Sequence, residues 1–193
     1  MFEQLFSSIQ ERITLSEGEQ QDIRHFFIPK KVRKKQYVLN AGDISKHIVF
    51  VEKGLLRAFS VDETGREHVM QFAPEGWWIS DMGSFLSGDE AIYNIEALED
   101  AELLLMTRKS MDELIDAIPK IERYFRLLMQ GSIVALQRRI RVVQTHSAED
   151  LYLKFMEVRP DLITRAPQQY IASYLGITPE TLSRVRKQIS ERK

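Results

Sequence analysis

Five side chains near the C-terminal end, Glu180, Thr181, Ser183, Arg184 and Lys187, have the types and spacing to read the edges of nucleic acid bases. On one helix they share a broad face, because residues three and four apart are neighbours. An arginine can donate two hydrogen bonds to one guanine, a glutamate can accept from the cytosine amino group, and a helix of this kind fits the major groove. Other chemistry is thinly represented. His25, His47, His68 and His146 are scattered with no paired ligand spacing, so each is expected as a solvated or hydrogen-bonded side chain and no metal is expected. Rolled β-barrels also host metal-dependent oxidation, but that needs His and carboxylate ligands clustered on adjacent strands. His47 and His68 stand alone on separate strands. No nucleophile–base pair and no phosphate-cradling glycine loop is present, so an enzyme is the least favoured reading.

The elements that must position the five side chains lie in Pro167–Ile189. Ile171, Ala172, Leu175, Gly176, Ile177, Leu182 and Val185 fall where two short helices crossing at a tight turn need apolar or small residues. Ala172 is small enough for a close crossing. Gly176 permits the positive φ that ends the first helix. Thr178 can cap the second helix, with Pro179 at its first position, where the missing N–H costs nothing. The stretch is a helix-turn-helix, with the polar face of its second helix left open to double-stranded DNA.

Composition agrees. The chain has 193 residues, 44% hydrophobic and 28% charged, with a formal net charge of −1, which suits one or two modest globular domains. Charge is uneven: from Arg159 onward seven Lys/Arg stand against three Asp/Glu. A basic terminal module on a near-neutral body favours selective phosphate contact. Cysteine is absent, which excludes disulfides, thiolate zinc sites and cysteine-ligated iron–sulfur clusters within these residues. No cofactor is expected. The N-terminal MFEQLFSSIQERITL mixes charge into its apolar positions, unlike a signal peptide, and no run is long enough to span a bilayer. The chain is expected to be cytoplasmic, with no membrane partner.

Phe2, Leu5, Phe6, Ile9 and Ile13 recur at helical spacing, and a second helix is predicted from Ser16 to Phe27; both read as lid helices. From Lys30 to about Met106 short β-rich segments alternate with turn signals, one at Asp62–Gly65, as in a sandwich or rolled barrel. The run Lys30, Lys31, Arg33, Lys34, Lys35 reads as an edge strand defended by charge. GWWISDMGSFLSGDE is expected to hold a helical turn lining a cavity, with Trp77 and Trp78 facing opposite sides. A short helix closes at Pro119. A long one follows to about Thr145, with Ile121, Phe125, Leu128, Ala135, Leu136, Ile140 and Val143 near a seam of spacing three and four, which favours a helix pair between two subunits. A further helix follows, with a loop at Pro160. The predicted organisation is α+β: an N-terminal β-roll with lid helices over 1–118, a long dimerisation helix over 119–146, and a helix-turn-helix over 147–193.

In this order of elements the whole chain resembles the Crp/Fnr family of bacterial transcription regulators, whose roll is a double-stranded β-helix of the cyclic-nucleotide-binding type. The family's recognition helix carries Arg-Glu-Thr-x-x-x-Arg; here Pro179, Glu180, Thr181 and Arg184 stand at the matching positions. The resemblance implies that Glu180 and Arg184 read base edges and that Gln169 and Thr178 touch phosphates, while Pro179 replaces a base-contacting Arg. Members that bind cyclic AMP carry a Gly-Glu pair and, about ten residues on, an Arg for the cyclic phosphate. Here the stretch reads Ser80-Asp81 and then Ala91-Ile92, so the charge-assisted contact to a desolvated phosphate is missing, a loss of several kcal/mol. Cyclic AMP and cyclic GMP are therefore not expected to bind with useful affinity. The implied effector pocket comprises Trp78, Ser80, Asp81, Ala91, Ile92 and Tyr93. The family's β-hairpin wing follows its helix-turn-helix; here Lys193 comes directly after the recognition helix, so most or all of the wing is expected to be absent.

The leading reading is a homodimeric transcription regulator on a two-fold symmetric operator, with an unidentified small-molecule effector or none, and RNA polymerase as a further candidate partner. The alternative is a small-ligand module whose terminal helices bind a protein; Asp81, Tyr93 and Asn94 would be its convergent polar groups.

Overall fold

The computed structural model describes residues 1–192. The chain opens with two helices, α1 (Glu3–Gln10) and α2 (Glu17–Arg24). Ser16 and Glu19 form a reciprocal capping box that starts α2. Eight strands follow among the described residues: β1 (Ile28–Val32), β2 (Tyr37–Leu39), β3 (His47–Lys53), β4 (Leu56–Val61), β5 (Glu67–Ala73), β6 (Trp78–Ile79), β7 (Asn94–Ala97) and β8 (Ala101–Thr107). The helical turn expected between the tryptophans and Asn94 is α3 (Met82–Ser87). The chain then continues as α4 (Arg108–Ala117), α5 (Lys120–Thr145), α6 (Ala148–Val158), α7 (Pro160–Arg165), α8 (Gln168–Leu175) and α9 (Pro179–Glu191). The loop expected at Pro160 is instead the first residue of α7, where proline's fixed φ and missing N–H suit a helix start.

The strands form two four-stranded sheets, in the orders β1-β8-β3-β6 and β2-β7-β4-β5. Val49 and Val51 of β3 and Leu103 and Leu105 of β8 point between the sheets, with Leu56, Ala58, Ile95 and Ala97 of the second sheet in the same cluster. The alternate residues Ile48, Phe50, Leu104 and Met106 face outward, where Leu5, Phe6, Ile9, Ile23, Phe27, Leu114 and Ile121 cover them. Both faces of the central strands β3 and β8 are therefore largely dry. This explains why HIVFVEK reads as a nearly continuous apolar run. Gly54, between β3 and β4, has φ +97, and a Cβ there would meet the Ala101 Cβ at 2.7 Å and the Asp100 carbonyl at 2.8 Å. Only glycine fits that turn.

The chain divides into two compact units. The first comprises Met1–Ser60 and Gln71–Gln130; the second joins Val61–Met70, the tip of the β4–β5 hairpin, to the residues from Gly131 onward. The division falls inside α5. Ile121 and Tyr124 are buried in the first unit's core, and Phe125 and Leu128 pack against it. None of the helices among the described residues is long and apolar enough to cross a membrane.

Candidate nucleic-acid interface and effector pocket

The helix-turn-helix is built as its residues dictate. Ile171, Ala172, Leu175, Leu182 and Val185 are buried, Ala172 completely. Gly176 takes φ +72, and the Ile177 N–H closes the end of α8 by donating to the Ala172 carbonyl at 3.0 Å. Thr178 caps α9: its hydroxyl accepts from the Thr181 N–H at 3.2 Å. The capping hydroxyl also lies 3.1 Å from the Thr181 hydroxyl, so Thr181 is half-buried and engaged. Glu180, Ser183, Arg184 and Lys187 are exposed on the uncovered face, as is Gln169 on α8. The Glu180 carboxyl is held below its ordinary range, chiefly by its own backbone N–H and the Thr178 hydroxyl, with Arg66 adding a favourable charge. It is thus an acceptor at neutral pH. Gln168, Ser183, Arg186, Lys187 and Ser190 line a shallow adjoining depression, which adds Arg186 to the basic side chains that the sequence pattern singled out.

The hairpin tip is a component that sequence reasoning missed. Ser173 of α8 accepts from the Val69 N–H and donates to the Glu67 carbonyl, both at 2.9 Å. Arg139 of α5 donates to the Met70 carbonyl at 2.5 Å and the Tyr174 carbonyl at 3.0 Å, and its guanidinium stacks 4.2 Å above the Tyr174 ring. A cleft of about 660 Å³ lies between the tip and the helix-turn-helix, with Arg66 and His68 on one side and Gln169, Thr178 and Thr181 on the other. Asp62 braces the tip: it accepts from the Thr64 hydroxyl at 2.6 Å and meets the His68 ring at 2.7 Å, and these bonds hold its carboxyl well below the usual range. No local pattern could announce this pairing, because the partners are a hundred residues apart.

Of the six residues expected to form an effector pocket, Asp81, Ile92 and Tyr93 are brought together by hydrogen bonds, whereas Trp78 and Ser80 are engaged elsewhere. Trp78 belongs to an aromatic cluster, 5.1 Å from Phe50 and 5.7 Å from Phe125, and its indole N–H donates to the Tyr124 hydroxyl at 2.9 Å. Trp77, facing the other way, is exposed. Ser80 is 3.4 Å from the Ser45 hydroxyl and donates to the His47 carbonyl. Ala91 is buried, Ile92 is exposed and Tyr93 is half-buried. Asp81 is only 3% exposed. One of its oxygens accepts from Ser84 N–H at 3.0 Å, capping α3, and the other from Ile92 N–H at 2.9 Å and Tyr93 N–H at 3.3 Å. The backbone donors at the expected phosphate position are therefore already satisfied by a carboxylate of the chain itself.

The dimer-seam residues divide in the same way. Ile121, Phe125 and Leu128 pack within the first unit, whereas Ala135, Leu136, Ile140 and Val143 are exposed. Met129 and Ile133, exposed by 46% and 58%, extend the exposed set toward the N-terminus of α5. Met129, Ile133, Leu136, Ile140 and Val143 follow one another at steps of four, three, four and three, the heptad spacing.

Comparison with known proteins agrees with this architecture. Residues 29–117 match the cyclic nucleotide-binding domain. Regulatory protein HlyX of Actinobacillus pleuropneumoniae is 27% identical over 190 residues, covering 89% of this chain and 76% of that protein. The fumarate and nitrate reduction regulatory protein of Vibrio cholerae is 26% identical over 189 residues, covering 89% and 73%. Among solved structures, FixK2 from Bradyrhizobium japonicum superposes with a TM-score of 0.73 at 18% identity, over 86% of this chain and 85% of that one. The catabolite activator protein of Thermus thermophilus does so at 0.59 and 20%, over 92% and 85%. At these identities the structural likenesses establish the fold.

Proposed function

We infer, from a chain that belongs to the Crp/Fnr family of regulators, that this protein is a DNA-binding transcription regulator acting as a homodimer. The observation that carries the reading is the single uncovered face of α9, where Glu180, Ser183, Arg184 and Lys187 stand together above a packed helix-turn-helix. In a dimer paired along Met129–Val143 of α5, two such faces would enter successive major grooves about 34 Å apart, on a two-fold symmetric site. Arg184 and Glu180 are the base readers. Gln169, Thr178 and Lys187 contact phosphates, with Arg186 beside them.

The first unit is its sensor, and cyclic AMP is not what it senses. Ala91 brings no charge to a cyclic phosphate, and Asp81 already occupies the backbone donors that such a phosphate would need. The absence of cysteine removes thiolate-ligated redox centres as the alternative within these residues.

Selection of preferred sites from random duplexes, with a salt titration of the winners, tests the reading. A pseudo-palindrome is expected, bound by two chains, with affinity falling linearly on logarithmic axes as salt rises. Arg184→Ala should relax base preference at one position per half-site at a cost of about 1–3 kcal/mol. Equal loss on every sequence would make Arg184 a phosphate contact. Unselective binding by the unsubstituted chain would favour the ligand module with a protein partner.

A further inference from the structure

One end of the roll, where the 43–47 turn meets α3 through the Ser45 N–H donating to the Ser84 hydroxyl at 2.8 Å, combines features that the regulatory reading does not use. A cavity of about 500 Å³ enters there between the two sheets, in the size range of roughly 300–1,000 Å³ typical of small-ligand sites. Its floor is apolar: Val49 and Leu105 of the first sheet, and Val38, Leu39 and Ile95 of the second. Its mouth is basic, with Lys30, Lys46 and His47 in the lining. None of these residues is among the six of the expected effector pocket.

The placement of the basic groups is what needs explaining. Lys30 alternates along β1 with Val32, and His47 along β3 with Val49 and Val51; all three valines belong to the cluster between the sheets. By strand parity Lys30 and His47 therefore occupy inward positions, separated in the sheet by the Ile28–Leu105–Val49 row. Among the described residues neither lysine has a carboxylate partner, in contrast to Lys31, which pairs with Glu102 at 3.0 Å on the outward side of the same strand. The one acid in the lining, Asp43, accepts from the Asn40 amide at 3.1 Å. Burial, then Lys30, then Lys46, hold the His47 ring below its ordinary pKa, so the three groups share one electropositive, partly desolvated space. Lys30, directed inward, and Lys46, exposed at the rim, stand over an apolar floor with no carboxylate partner among the described residues, and are complementary to a ligand that supplies both a tail and a negative charge.

We propose that this end of the roll binds an amphipathic organic monoanion, a medium-chain aliphatic or aromatic carboxylate, with its apolar body between the sheets and its charge at Lys30 and Lys46. Val38, Leu39 and Ile95 take the body, and Ile44 at the rim covers it. The binding claim stands without the DNA-binding function; only the use of this anion as an effector rests on it.

Calorimetric titration of the full chain tests this with octanoate as the probe, against acetate and inorganic phosphate, which lack the tail, and octan-1-ol, which lacks the charge. Octanoate is expected to bind one per chain, and each of the other three about tenfold or more weaker. Lys30→Gln/Lys46→Gln should weaken octanoate about tenfold, whereas Lys34→Gln/Lys109→Gln, which removes the same charge elsewhere, should leave it unchanged. Equal binding of octan-1-ol, equal binding of phosphate, equal loss in both double variants, or no saturable octanoate binding would each overturn the proposal. Should the first double variant lose its circular dichroism, the His47 ring protons of the unsubstituted chain decide. Octanoate must shift them saturably and acetate must not; unmoved ring protons reject the site.

Discussion

Asp81 has two roles that its sequence position cannot separate. A carboxylate at that place can accept from a ligand hydroxyl or from its own backbone, and the structure has it accept from three backbone N–H groups while almost wholly buried. Asp81→Ala would leave those donors without an acceptor, at about 1–3 kcal/mol for a desolvated group. The midpoint of urea unfolding should fall with its slope unchanged; an unmoved midpoint would mean that solvent reaches the donors. His47 makes a second case. Its folded pKa is lowered by burial and by Lys30 and Lys46, with Asp43 the one acid of that lining. The unfolded chain therefore binds the proton more readily. Stability is fully present above the ordinary histidine pKa of about 6.5 and is lost as pH falls from there to the lower folded pKa. His47→Gln should flatten that part of the stability–pH curve, and an unchanged curve would assign the slope to another group.

Elements were more legible than contacts. The β-roll announced itself through short apolar runs and turns, and the helix-turn-helix through Ala172, Gly176 and the Thr178–Pro179 start, because each of these responds to forces within a few residues. What stayed hidden depends on distant partners. The seam of α5 read as continuous from Ile121 to Val143, yet Ile121 is buried against the roll and the exposed heptad begins at Met129. Periodicity marks an apolar stripe but not which surface covers it. Pro160 was ambiguous for the same reason, since proline ends one helix as readily as it starts another. The exposed part of α5 carries its own prediction. Ile133→Glu with Ile140→Glu places charge on the proposed seam without touching the first unit's core, so the chain should sediment as a monomer with its secondary structure intact. A dimer of unchanged mass would place the subunit contact elsewhere.

For the whole molecule the question is what couples the two units, and the chemistry limits the answers. A cyclic nucleotide would have to displace Asp81 from its backbone donors, and its phosphate would find no cation at Ala91, so both halves of the exchange are unfavourable. A ligand that binds only the folded state stabilises it in proportion to the logarithm of its concentration over Kd, about 2.7 kcal/mol at a hundred times Kd. For a chain of this length that is a rise in Tm of roughly 5–10 °C. Cyclic AMP and cyclic GMP at about 1 mM, a hundred times a Kd of about 10 μM, should therefore leave the melting curve where it was. The affinity for a selected operator should be equally unaffected, because an equilibrium shifts only by the difference in a ligand's affinity for its two states. A rise of several degrees would require the Ser84, Ile92 and Tyr93 donors to exchange Asp81 for the nucleotide. In that case Asp81→Ala, by removing the competitor, should bind the nucleotide more tightly than the unsubstituted chain.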